Sequence, residues 1–128
     1  MSEFLDNGAK RQSVDAHHVL AERVAFIERS FARRRKIKEE HARGPVARAL
    51  SISPGSIERM RGKRRKTIDH EVWERVRWLF VDCVNEEIRR LEHMRDLARY
   101  RGEPPHETHV CEIEAHLFAA RKLLEGIL

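Results

Sequence analysis

Cysteine, proline and aromatic residues are all scarce in this chain: its 128 residues include two Cys, four Pro and 6% Phe, Trp and Tyr. Cys83 and Cys111 are far apart and fall in helical patterns, which excludes a disulfide scaffold or a zinc knuckle. They read as small apolar residues of a protein in a reducing cytoplasm. Few aromatics beside 37% charged residues argue against a thick globular core and for helices with wet surfaces. No secretory h-region is visible, and no apolar run approaches the roughly eighteen residues a membrane helix needs. No phosphate-cradling Gly loop, nucleophile elbow or Ser-His-Asp pattern can be read, so an enzyme is not expected. Eight histidines raise a metal site, yet His17 and His18 are adjacent and cannot share one ion from a regular helix. His109 and His116 are seven apart with Cys111 pointing elsewhere, so no metal or other cofactor is expected.

What is abundant is positive charge, and it is segregated. From residue 33 to 66 there are thirteen Arg or Lys against three Glu, whereas residues 1–32, 67–84 and 85–128 each carry a slight acidic excess. A surface needing only solubility would mix its signs; this asymmetry favours a polyanionic partner.

The basic zone contains GPVARALSISPGSIERMRGKRRK, residues 44–66, which reads as two short helices and a tight turn. Ala47 and Leu50 share one face of the first, Ile57 and Met60 one face of the second, and Ile52 plugs the angle between them. Ser53 is a natural N-cap, and Pro54 follows where its missing N–H costs nothing. Neither helix is long enough to be stable alone, so both need support from the flanking apolar faces.

The run Ala47, Leu50, Ile52, Ser53, Ile57, Met60, Gly62 resembles the helix-turn-helix of small bacterial and phage regulators, the Cro/CI-like or transposase-like type. It departs from that pattern by opening the second helix on Pro54-Gly55. The resemblance implies a recognition helix in which Ser56 and Arg59 face the groove. Pairing chemistry suits Arg59 to a guanine edge, and Glu58 either accepts from a cytosine amine as a third base contact or shields Arg59. The resemblance also implies that Ser53 and Gly55 lie against phosphate. Charge adds Lys63, Arg64, Arg65 and Lys66 behind that helix, and Arg33, Arg34 and Arg35 before it, as further phosphate contacts.

The flanks complete an all-α reading. Residues 1–12 lack a period and suggest a flexible arm. Ser13 or Asp15 can cap a long first helix with Val19, Val24, Ile27 and Phe31 on one face, expected to run to Gly44-Pro45. Glu39 and Glu40 stand four residues from Arg35, Arg43 and Lys36, a spacing suited to pairs along that helix. Thr67 or Asp69 can cap another long helix over 68–100, striped by Val72, Val76, Leu79, Phe80, Cys83 and Val84. Trp73 and Trp78 flank the stripe as packing residues. Pro104 and Pro105 break the chain before a last helix over 107–128.

The expected organisation is therefore an arm (1–12), a helix-turn-helix DNA-binding domain (13–84) and an antiparallel helical hairpin (85–128). The hairpin's narrow stripes suggest a homodimer through Ile88, Leu91, Leu97, Val110, Ile113, Leu117 and Leu124. Alternatively, the last helix closes a larger core within one chain. The function expected is sequence-specific binding of double-stranded DNA by a cytoplasmic, nucleoid-associated dimeric transcriptional regulator. Two alternatives stay open: an architectural or RNA-binding protein, and a helical adaptor whose hairpin docks on polymerase or another regulator. No membrane partner is expected.

Overall fold

A computed structural model describes the backbone of residues 2–62, 69–101 and 106–127, and the side chains of 16–62, 69–101 and 109–127. The described residues form five α-helices and one 3-10 turn, with no strand among them. The helices are α1 (Ser2–Arg35), α2 (Arg43–Leu50), α3 (Pro54–Arg61), α4 (His70–Arg101) and α5 (His106–Glu125); the 3-10 turn is Glu39–Ala42. Residues 1–12, read from sequence as an arm, fall almost wholly within the span of α1. None of the described helices is long and apolar enough to cross a membrane. The chain divides into two compact units, Met1–Phe80 and Val81–Leu128. Nineteen Arg and Lys against eleven Asp and Glu give the first unit a net charge of +8, and seven against ten give the second −3.

In the first unit α1 is the central element, touching the 3-10 turn, α2 and α3. Leu20, Val24 and Ile27 are fully buried at helical spacing, with Ala21, Glu28 and Ala32 on the adjoining strip. Against them lie the buried residues of α2 (Val46, Ala47, Leu50) and α3 (Ser56, Ile57, Met60). Phe26 and Phe80 meet edge to face with ring centroids 5.2 Å apart. Arg23 lies 5.1 Å from the Trp73 ring and 5.7 Å from that of Phe80, and its burial, then nearby Arg77, lower its pKa below the usual value. It stays charged, because a guanidinium is not deprotonated in proteins, and the two rings offer the cation their faces.

The first helix does not run on to Gly44-Pro45. It stops at Arg35; Lys36 takes the left-handed conformation with φ 56°. The N–H of Ile37 then donates to the carbonyl of Ala32 at 3.0 Å and that of Lys36 to Arg33 at 3.3 Å, the double bond of a Schellman stop. The expected helix-spaced pairs between Glu39 and Arg35 and between Glu40 and Lys36 therefore do not form, since the backbone breaks between them. Gly44 and Pro45 lie in the first turn of α2, where the proline lacks only a donor the helix has no use for. The end of α2 repeats the geometry: Ser51 sits at φ 57°, and Ile52 and Ser51 donate to the carbonyls of Ala47 and Arg48 at 3.0 and 3.1 Å. The two stops share a sequence pattern, Phe31-Ala-Arg-Arg-Arg-Lys-Ile37 and Val46-Ala-Arg-Ala-Leu-Ser-Ile52.

Helix α4 begins on Asp69, whose Oδ1 accepts from the Glu71 N–H at 2.9 Å. Val72, Val76 and Phe80 are buried on its first-unit face, while Trp78 is 52% exposed. In the second unit α4 packs tightly against α5, and the pair Arg99–Glu114 spans the break. Ion pairs Arg89–Glu86 and Arg90–Glu87 decorate the solvent side, the latter bidentate at 2.7 and 3.2 Å. Of the residues expected at a two-chain seam, Leu91, Ile113 and Leu117 are already buried in the single chain. Ile88, Val110 and Leu124 are half-buried, and Leu97 is exposed.

Candidate nucleic-acid interface

The candidate surface is built on α3. Its start follows from Ser53, whose backbone is extended (φ −78°, ψ 152°) and whose Oγ accepts from the Ser56 N–H at 3.2 Å. Pro54 occupies the first helical position, so no donor is wasted there. The helix lies on α1 by burying Ile57 and Met60, which turns Glu58, Arg59 and Arg61 outward. Gly55 is exposed, and a Cβ added there would meet only Ser53 Oγ at 3.9 Å, an ordinary contact. The protein's own packing thus does not demand glycine at position 55.

Serine 56 departs from its expected place. It is buried, its Oγ lies 3.0 Å from Ser53 Oγ, and it accepts from Arg59 Nη2 at 3.3 Å. Ser53, Ser56 and Arg59 thus form a short chain along one edge of α3. Glu58 stands on the outer face with Arg59.

The basic end of α1 is the second part of the surface. Arg33, Arg34 and Arg35 are exposed in its last turn, where cations oppose the negative end of the helix dipole. The Arg34 and Arg35 guanidinium groups lie 4.9 and 5.8 Å from the Phe31 ring, so their stems are partly ordered. Lys36, Lys38 and, on α2, Arg48 are exposed as well. Lys63, Arg64, Arg65 and Lys66 lie outside the described residues.

Two side chains that brace the surface escaped the sequence reading. Glu28, only 1% exposed, reaches from α1 to the last turn of α3, its Oε2 3.3 Å from Arg61 Nη1. Among the described residues its Oε1 has no hydrogen-bond partner. The available signal was an acid placed four residues after Val24 and eight after Leu20, on the apolar side of the helix. Arg75 of α4 donates from Nη1 to the Leu50 carbonyl at 3.3 Å, satisfying an orphan acceptor at the end of α2. That contact links positions 25 apart and has no sequence signature.

Among the described residues no group of three or more His, Cys, Asp or Glu side chains comes together as metal ligands. No protein-family model matches the chain, and comparison with curated proteins and with solved structures finds no significant similarity.

Proposed function

We propose that this chain binds double-stranded DNA sequence-specifically and acts as a dimeric transcriptional regulator, with α2 and α3 as a helix-turn-helix and α3 as the recognition helix. One observation carries the reading. The eight-residue α3 buries Ile57 and Met60 and leaves Glu58, Arg59 and Arg61 exposed, in a unit whose net charge is +8. Such a short helix, with a buried inner face and Glu58 and Arg59 on its outer face, is suited to entering a major groove. Arg59 is the base reader, its fork matched to the guanine edge, with Glu58 beside it as an acceptor for a cytosine amine. Arg33, Arg34, Arg35 and the Gly55 backbone take phosphates, which fix orientation without carrying sequence information.

In a dimer, each α3 would take one half-site, about 34 Å or a multiple of it from the other. Because Leu91, Ile113 and Leu117 are used within one chain, contact between copies would fall on exposed Leu97, Tyr100, Phe118 and Leu123. The same exposed residues favour the second reading, a hairpin that docks on polymerase or another regulator.

The test is selection from a randomised duplex pool at about 0.15 M salt with excess competitor. Enrichment of an inverted repeat is the expected result. Binding without any enriched sequence refutes specific recognition and leaves an architectural or RNA-binding protein.

A further inference from the structure

We infer that Ser56 is a positioning residue, which aims the Arg59 guanidinium at a guanine edge without touching DNA itself. The inference rests on the DNA-binding reading and adds a residue to its specificity.

The argument starts from hydrogen-bond capacity. A serine hydroxyl has one donor and two acceptor positions. Ser53 Oγ already accepts from the Ser56 N–H. If Ser53 donated its hydroxyl proton to Ser56, the buried Ser56 proton would need another acceptor. If Ser56 donates to Ser53 across the 3.0 Å contact, its own lone pairs face the Arg59 Nη2–H at 3.3 Å. The second arrangement leaves the remaining donor on Ser53, which is exposed to water. Proton order then runs one way, Arg59 to Ser56 to Ser53, and ends at the N-cap. The guanidinium is held by one of its five N–H groups, and the other four stay with the face that α3 turns outward.

The consequence is lower ordering cost. A long exposed arginine loses rotamer freedom when it grips a base, roughly 0.5–1.5 kcal/mol, or about 2- to 12-fold in affinity. A tether formed in the unbound protein removes part of that loss. Because a misdirected fork cannot make two parallel bonds to guanine O6 and N7, the tether also sharpens discrimination.

The experiment uses the full chain and the duplex enriched from the randomised pool. Affinities for that duplex, for a duplex carrying adenine at the guanine read by Arg59, and for random sequence are measured by fluorescence anisotropy. Parent, S56A, R59A and the double variant are compared, with a thermal melt of each. R59A should abolish the guanine preference. S56A should lose roughly fivefold for the enriched duplex, within the range above, and keep random-sequence affinity, salt slope and melting temperature. In the R59A background S56A should change nothing. If R59A abolishes the preference while S56A leaves it intact, the positioning role is refuted and DNA recognition stands. If S56A weakens binding equally with and without Arg59, its effect is structural and the inference falls. If R59A leaves the preference intact or no duplex is enriched, the recognition-helix reading itself fails and takes this inference with it.

Discussion

Removing Arg61 should destabilise the first unit, and it should do so only while Glu28 is present. The carboxylate of Glu28 is 1% exposed, with one oxygen 3.3 Å from Arg61 and the other unpartnered among the described residues. Breaking a buried ion pair from one side typically costs about 3–5 kcal/mol, because a charge is left uncompensated. The Arg61 side chain is 36% exposed, so water already screens the outer end of the pair. Discounting for that gives about 2 kcal/mol for Arg61→Ala. Glu28→Met removes the buried charge at similar volume and should leave stability within about 1 kcal/mol of the parent, on either side. Adding Arg61→Ala to Glu28→Met should then cost less than about 0.5 kcal/mol. Trp73 and Trp78, the only two tryptophans, both lie in the first unit, so their fluorescence in urea or on heating reports that unit. At roughly 4 °C per kcal/mol, Arg61→Ala should lower the melting midpoint by about 8 °C. A shift below about 2 °C with Glu28 intact, or the same shift with Met at position 28, would refute the reasoning.

Replacing Ser51 or Lys36 by Gly should each raise stability by about 0.5–1 kcal/mol, since a left-handed L-residue costs about 1–2 kcal/mol and glycine's extra unfolded freedom returns part of it; urea midpoints measure this, and Ser51→Val should shift the other way. Leu117→Ala, at a fully buried position, should cost about 2–5 kcal/mol and speed amide exchange in α5. Changing Arg33, Arg34 and Arg35 together to Gln should flatten the slope of log affinity against log salt by up to about 2.7 if all three meet phosphate, and by nothing if they serve only the α1 terminus.

Much of the fold could be read where local chemistry is strong. Ser53-Pro54 marks the start of α3, because an N-cap needs one side-chain oxygen at one position. For α4 the sequence offers Thr67 or Asp69, and Asp69 is the residue that accepts from the Glu71 N–H. The apolar stripe of Val72, Val76 and Phe80 is likewise a matter of spacing. The end of α1 is masked in the sequence by Gly44-Pro45, the conspicuous breaker, whereas the actual stop uses a lysine. Only the following isoleucine, and the same Ala-Arg-x-x-polar-Ile order at the end of α2, mark it. Ser56 has the spacing of a groove-facing residue and is nevertheless buried, because spacing cannot say which way a hydroxyl near a helix start is taken. Its burial depends on how α3 rolls on α1, a tertiary fact. Glu28 has only its place on the apolar side of α1 as a signal, and such an acid reads as solvated until a basic partner from another helix covers it.

The bond from Arg75 to the Leu50 carbonyl ties two points of the chain that are 25 residues apart. Everything between them, including α3 and the basic run at 63–66, belongs to one closed ring of chain. The entropy of closing that ring is spent when the unit folds, not when a polyanion arrives. Ring closure varies with length only logarithmically, so doubling the ring would add about 0.6 kcal/mol. The ring can therefore be lengthened by insertion at little entropic cost, although not every cation in it is dispensable, because Arg61 holds the buried Glu28 carboxylate.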